Sequence, residues 1–103
     1  MKSKIFFLAV TLLFSPLLMA EDHEKDTFRT DSGQEVTITF IKHGSLMITY
    51  EGQHIQVDPV TMFADYSTFP KADFILVTHE HGDHLDAKAI DTLTKENTRL
   101  ILN

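Results

Sequence analysis

The chain has 103 residues, a formal net charge of −6, six histidines and no cysteine. Its acidity argues against nucleic-acid binding, which needs a basic footprint. The lack of cysteine rules out stabilisation by disulfides and a lipid-anchored lipoprotein signal.

The opening "MKSKIFFLAVTLLFSPLLMA" sets Lys2 and Lys4 before an apolar run from Ile5 to Phe14, then Ser15-Pro16, then a small residue, Ala20, ahead of "EDHEK". A basic n-region, a short apolar h-region and a small boundary residue describe a secretory signal peptide, 1–20, cleaved after Ala20. The run is broken at Pro16 and falls short of the about 20 residues a spanning helix needs. The expectation is therefore a periplasmic or secreted protein with no stable membrane anchor. Cleavage removes two lysines and no acid, moves the formal charge from −6 to −8 and leaves 83 of the 103 residues. A core of that size is marginal, so either a bound metal assists the fold or the chain is the front part of something longer.

Residues 21–35 are polar and charged and read as a solvated lead-in. "VTITF" then alternates, with Val36, Ile38 and Phe40 on one face and Thr37 and Thr39 on the other, as a half-buried strand does. "SLMITYEGQHIQVDP" reads as a hairpin turning at Glu51-Gly52, its second strand stopped by Pro59 and leaving Asp58 at the strand end. Residues 60–72 form a connection in which Phe63, Tyr66 and Phe69 pack a long loop down. "DFILV" is a continuous apolar run, expected of a strand covered on both faces. Asp86 is placed to cap a helix carrying Ala89, Ile90 and Leu93 at helical spacing, with Asn97 at its end. "RLIL" begins a last strand, and the chain stops inside that element. The order describes an α/β (α+β) layout.

The chemistry concentrates in "THEHGDHLD", 78–86, which holds three of the six histidines. In extended backbone His79 and His81 point the same way and can face one ion. Gly82 is expected to allow a sharp bend, beyond which Asp83 and His84 can address a second ion. Glu80 alternates away, and Asp86 is a cap rather than a ligand. Imidazole with carboxylate suits zinc, and also iron or manganese. Two such ions about 3.5–4 Å apart lower the pKa of a water between them and present it as a nucleophile.

"THEHGDHLD" resembles the H-x-H-x-D-H signature of the metallo-β-lactamase superfamily. Upstream, "ITFIKHGSLMITYEGQHIQVDP" resembles the opening strands of its members, particularly the branch similar to ascorbate-6-phosphate lactonase. The resemblance covers residues 36–103 and implies the first half of an αββα sandwich. It implies that His79 and His81 hold a first metal, Asp83 and His84 a second, with Asp83 and His84 catalytic, and that Asp58 supports the histidines from behind. A turn-forming Asp-Pro explains Asp58 equally well. His43 falls where this branch often has a histidine after glycine; Lys42 stands in that glycine's place, and a packed loop histidine is expected.

The resemblance also implies a further histidine, a bridging aspartate and a last histidine downstream. No histidine follows His84, and the later acids Asp86, Asp91 and Glu96 fall in the predicted helix. The expected function is that of an exported metal-dependent hydrolase, using a metal-bound hydroxide on a small ester, lactone, amide or phosphoester, with this chain holding part of the ligand set. The alternative is a truncated metal-binding relative without turnover. A nuclease role is disfavoured by export and acidity.

Overall fold

The computed structural model describes residues 21–103, so the predicted signal peptide lies outside the described residues. Six strands form one sheet in simple sequence order: β1 (Glu24–Arg29), β2 (Glu35–Lys42), β3 (Ser45–Tyr50), β4 (Gln53–Val57), β5 (Phe74–Val77) and β6 (Arg99–Leu102). The first three junctions are antiparallel hairpins, whereas β4 to β5 and β5 to β6 are parallel. Parallel neighbours require crossovers. The first is the 58–73 connection with a 3₁₀ turn at Tyr66–Thr68, and the second carries the helix α1 (Ala87–Leu93).

Both crossovers lie over the same face of the sheet, and that is where the core forms. Ala64, Tyr66, Ala72, Ile75, Val77, Ala89 and Leu93 are buried together, with Phe69, Leu85 and Ile90 packed against them. Tyr66 anchors the loop as expected of its aromatics, and its hydroxyl accepts from the Val60 N–H at 3.2 Å.

The two faces of β2 divide as expected, and the one the crossovers cover is the threonine face. Thr39, registered with Met47, Gln56 and Ile75, lies on the covered face and is buried. Phe40, registered with Leu46, Val57 and Leu76, lies on the other and is 42% exposed. Alternation tells two faces apart, but which one is covered depends on where the crossovers pass. For the same reason β5 is covered on one side alone: Ile75 and Val77 are buried while Phe74 and Leu76 are partly exposed. The opposite face, running from Val36 and Ile38 through Ile48 and Ile55 to Leu76, is continuously apolar and carries no buried residue among those described. Such a face is what a second packed layer covers in a sandwich.

Residues 21–35 are solvent-exposed for the most part, as expected, yet they contain β1. Full pairing from Glu24↔Phe40 to Arg29↔Glu35 builds the edge strand, helped by a Thr27–Thr37 hydroxyl contact of 3.0 Å. Charged residues along this exposed edge discourage pairing with another chain.

Asp86 does cap α1, its carboxylate accepting from Lys88 N at 3.0 Å. The helix ends at Leu93, not at Asn97, because the Leu93 carbonyl is taken by Ala72 N at 2.9 Å and Thr94 turns to extended backbone. Asp86 also accepts from Thr61 N (2.7 Å) and the Thr61 hydroxyl, tying the first crossover to the second. Losing a cap costs about 1 kcal/mol, and the tether adds a similar amount. Asp86→Ala should therefore lower stability by about 2 kcal/mol in urea unfolding; a loss of only a few tenths would show that the tether contributes nothing.

Candidate metal centre

The register puts four segments at one end of the sheet: the β2–β3 turn, the residue after β4, the segment after β5 and the end of β6. Open sheets with parallel strands place ligand sites at such carboxyl ends. Residues 78–84 leave β5 here, and Asp58 follows β4 directly.

Asp58 is 2% exposed and stands at φ 46°, a left-handed conformation that few residues other than glycine, asparagine and aspartate adopt readily. Its Oδ1 accepts from Thr78 N (2.7 Å), and its Oδ2 accepts from the Thr78 hydroxyl (2.7 Å) and from His84 Nδ1 (2.7 Å). Burial pushes its pKa up, but the Thr78 hydroxyl and N–H and the His84 bond together outweigh that and hold the carboxyl below its ordinary value. It is therefore an ionised acceptor, and His84 must carry its proton on Nδ1.

A second assignment follows from counting protons. The Thr78 hydroxyl has one hydrogen and gives it to Asp58, yet its oxygen lies 2.9 Å from His79 Nδ1. That oxygen can only accept, so His79 also carries its proton on Nδ1. One buried carboxylate thus sets two histidine tautomers, directly and through Thr78, and leaves both Nε2 lone pairs available. The rings sit close: His79 and His84 have centroids 3.8 Å apart, and His79 and His81 4.7 Å.

The sequence-predicted residues come together as two overlapping groups. His79, His81 and Asp83 offer ligand atoms within 4.8 Å of one another, and so do His43, Asp83 and His84. Asp83 belongs to both. Desolvation raises its pKa, but hydrogen bonds from its own N–H and from His43, with the His84 and His43 imidazoles alongside, lower it more, so it too is ionised. The Nε2 lone pairs of His79 and His84, the His81 imidazole and the Asp83 carboxylate, grouped this tightly, fit a dication of the zinc, iron or manganese type.

The family model of the beta-lactamase superfamily domain matches residues 37–101. The chain belongs to this superfamily. It is 42% identical over 73 residues to a metal-dependent hydrolase of Flavobacterium johnsoniae, covering 64% of this chain and 31% of that protein. It is 30% identical over 94 residues to an N-acyl-phosphatidylethanolamine-hydrolyzing phospholipase D of Caenorhabditis elegans, covering 73% of this chain and 25% of that one. A crystal structure described as a metal-dependent hydrolase from Parabacteroides distasonis superposes with a TM-score of 0.79 at 63% identity, over 80% of this chain and 37% of that one. The chain thus spans between a quarter and under two-fifths of these relatives. The mixed sheet and the single helix among the described residues are consistent with the N-terminal half of a metallo-β-lactamase fold.

Within this beta-lactamase superfamily domain, several expectations need correction. Gly82 is not a hinge: its φ is not positive and a Cβ there would meet nothing within 4 Å. The bend is a helical turn, with His84 N and Leu85 N both donating to His81 O at 2.9 Å, which any residue can form. Gly44 is the constrained glycine. A Cβ on it would lie 2.9 Å from His84 Cε1 and 3.1 Å from Nδ1. His43 is not packed away as a loop histidine but bonds Asp83 through Nε2 at 2.9 Å. Thr78 and Ser45 carry no local signal of their roles in the sequence, yet Thr78 donates twice to the Asp58 carboxylate and Ser45 donates to the Asp58 carbonyl at 2.5 Å. Glu80 is exposed, as expected of a residue turned away from the cluster.

Proposed function

We propose that this chain supplies the metal-binding N-terminal part of an exported, zinc-dependent hydrolase acting on a small ester, lactone, amide or phosphoester. The observation that carries the reading is the sharing of Asp83 between two close donor groups, with the tautomers of His79 and His84 already set for Nε2 ligation. In this reading His79 and His81 would hold one dication, and Asp83 and His84 a second beside it. Asp58 and Thr78 keep the imidazoles oriented without touching metal. A bound dication supplies Lewis acidity and lowers the pKa of a coordinated water. Asp83, ionised throughout the neutral range, then offers its charge to the site, and His84 is kept from rotating by its bond to Asp58.

The relatives support hydrolysis as the reaction, since two of them are described as metal-dependent hydrolases. One relative is named for hydrolysing N-acyl-phosphatidylethanolamine, a phosphodiester, which favours the phosphoester class; the lactone class rests on the resemblance of the opening strands in sequence alone. Export rests on Lys2, Lys4 and the apolar run to Phe14 followed by Ala20.

Purified full-length protein should retain up to two equivalents of zinc by mass spectrometry. It should hydrolyse at least one member of a panel of lactones, phosphodiesters and carboxylic esters, lose that activity to a chelator and recover it with added Zn²⁺. Protein that retains no metal would overturn the reading. Protein that binds metal but turns over none of the panel would be a metal-binding relative without catalysis.

A further inference from the structure

We propose that His43 is a positioning residue for Asp83: its Nε2–H holds the carboxylate that the two donor groups share, and the β2–β3 turn exists in its strained form to deliver that contact. The inference rests on the reading of Asp83 as a metal ligand given above.

Three observations carry it. First, the contact itself has one proton arrangement. His43 Nε2 lies 2.9 Å from Asp83 Oδ2, and an ionised carboxylate only accepts. His43 Nε2 must therefore be protonated. The nitrogen nearest the cluster is thereby spent as a donor, so grouping His43 with Asp83 and His84 by distance does not make it a ligand.

Second, the ring has aromatic neighbours from two other segments. Its centroid lies 5.6 Å from that of Phe63 and 5.1 Å from that of His84, both tilted by about 50°. Phe63 comes from the first crossover, so a loop aromatic whose expected role was packing also braces the histidine.

Third, the backbone is strained where the contact is made. His43 has φ 56°. Among the described residues, positive φ outside glycine occurs at His43, Glu51 and Asp58. Glu51 belongs to the tight β3–β4 hairpin turn; the other two are at the metal cluster. Left-handed backbone in a non-glycine residue is uphill and persists where its surroundings over-determine it. Here each residue of the turn meets a different member of the cluster: His43 meets Asp83, Gly44 lies against His84, and Ser45 bonds the backbone of Asp58. Substituting a residue with an easier backbone at 43 would relax the turn but abandon the carboxylate.

The consequence is that Asp83, itself exposed along one side and on a short turn, is kept from rotating by a residue 40 positions earlier. Outer contacts of this kind are worth 10–100-fold in metal affinity.

Two measurements on the full-length protein decide it. In the metal-free protein, long-range ¹H–¹⁵N correlation of the imidazoles should show His43 protonated on Nε2; the Nδ1–H tautomer overturns the proposal, and this arm needs no variant. In Co²⁺ titrations, His43→Ala should weaken one of the bound ions about 10–100-fold without lowering the number bound. His43→Gln, whose side-chain N–H falls near the place of Nε2, should recover the affinity to within about threefold. An unchanged alanine variant, or loss of a whole equivalent that glutamine fails to restore, overturns the proposal in favour of loop packing or direct ligation respectively. A wild type that binds no cobalt instead fails the metal reading of Asp83, and the inference with it. A wild type that binds normally beside an alanine variant that does the same fails this inference alone.

Discussion

Replacing Asp58 by alanine should cost about 3–4 kcal/mol of stability and weaken metal binding about 10–100-fold. The carboxylate satisfies three donors at once, Thr78 N–H, the Thr78 hydroxyl and His84 Nδ1–H. A buried donor left without a partner costs about 1–3 kcal/mol. The hydroxyl can rotate away and His84 can reach water, so the full sum is not paid. Alanine at φ 46° adds about 1 kcal/mol of backbone strain. Asp58→Asn isolates the charge, because asparagine tolerates left-handed backbone and keeps one acceptor oxygen; a loss of about 2 kcal/mol is expected. The pH dependence separates the two terms. The folded pKa of Asp58 lies below its ordinary value, so its contribution is full above the unfolded pKa of about 3.9 and is lost as pH falls through the folded one. Urea unfolding at a series of pH values should show the wild type and Asp58→Asn differing by a constant amount from pH 7 to about 5, with the gap closing below about 4. A gap that stays constant down to pH 3 would mean that the charge of Asp58 plays no part.

Gly44→Ala should be nearly as damaging to the site and less so to the fold. The new methyl would lie 2.9 Å from His84 Cε1, closer than non-bonded carbons approach. His84 cannot simply swing aside, because Asp58 holds Nδ1 at 2.7 Å and His79 lies across its ring at 3.8 Å. Either the Asp58 bond lengthens or the turn moves, and the turn also carries His43 and Ser45. Overpacking of this kind costs about 1–3 kcal/mol, and displacement of His84, a ligand in the proposed reading, should reduce metal affinity by about 10–100-fold. Isothermal titration with Zn²⁺ and thermal unfolding of the same preparation read both effects. Gly82→Ala is the control: with nothing within 4 Å of its Cβ and no positive φ, it should leave affinity and melting temperature unchanged. Equal losses at Gly44 and Gly82 would refute the steric account.

The contrast between these glycines shows what could be read in advance. The candidate ligand cluster is legible because it is local: six consecutive positions, His79 to His84, hold three imidazoles and two carboxylates, those of Glu80 and Asp83, and spacing alone brings them together. Asp58 was visible as a strand-end aspartate, but an Asp-Pro turn gives the same two letters, and what decides between them is Thr78, twenty residues on. Gly44 and His43 were hidden for the same reason, since each acts on a residue 40 positions away. Gly82 attracted attention by being inside the motif, whereas its turn needs no special backbone. The strands and the helix followed from alternation and capping. The covered face of β2 did not, because periodicity carries no label for inside. β1 was missed because a charged, exposed edge strand has the composition of a loop and is formed by its pairing with β2.

The long reach of the supporting contacts bears on when the site comes into being. The ligands themselves could be made as a short peptide, but the contacts that orient them close loops of 20, 26 and 40 residues. Loops of that span close late and slow the search for the native pairing. On the proposed reading, metal capture would follow folding and would not nucleate it. An ion bound only by the finished arrangement stabilises it by mass action, so zinc should slow unfolding while leaving the refolding rate almost unchanged.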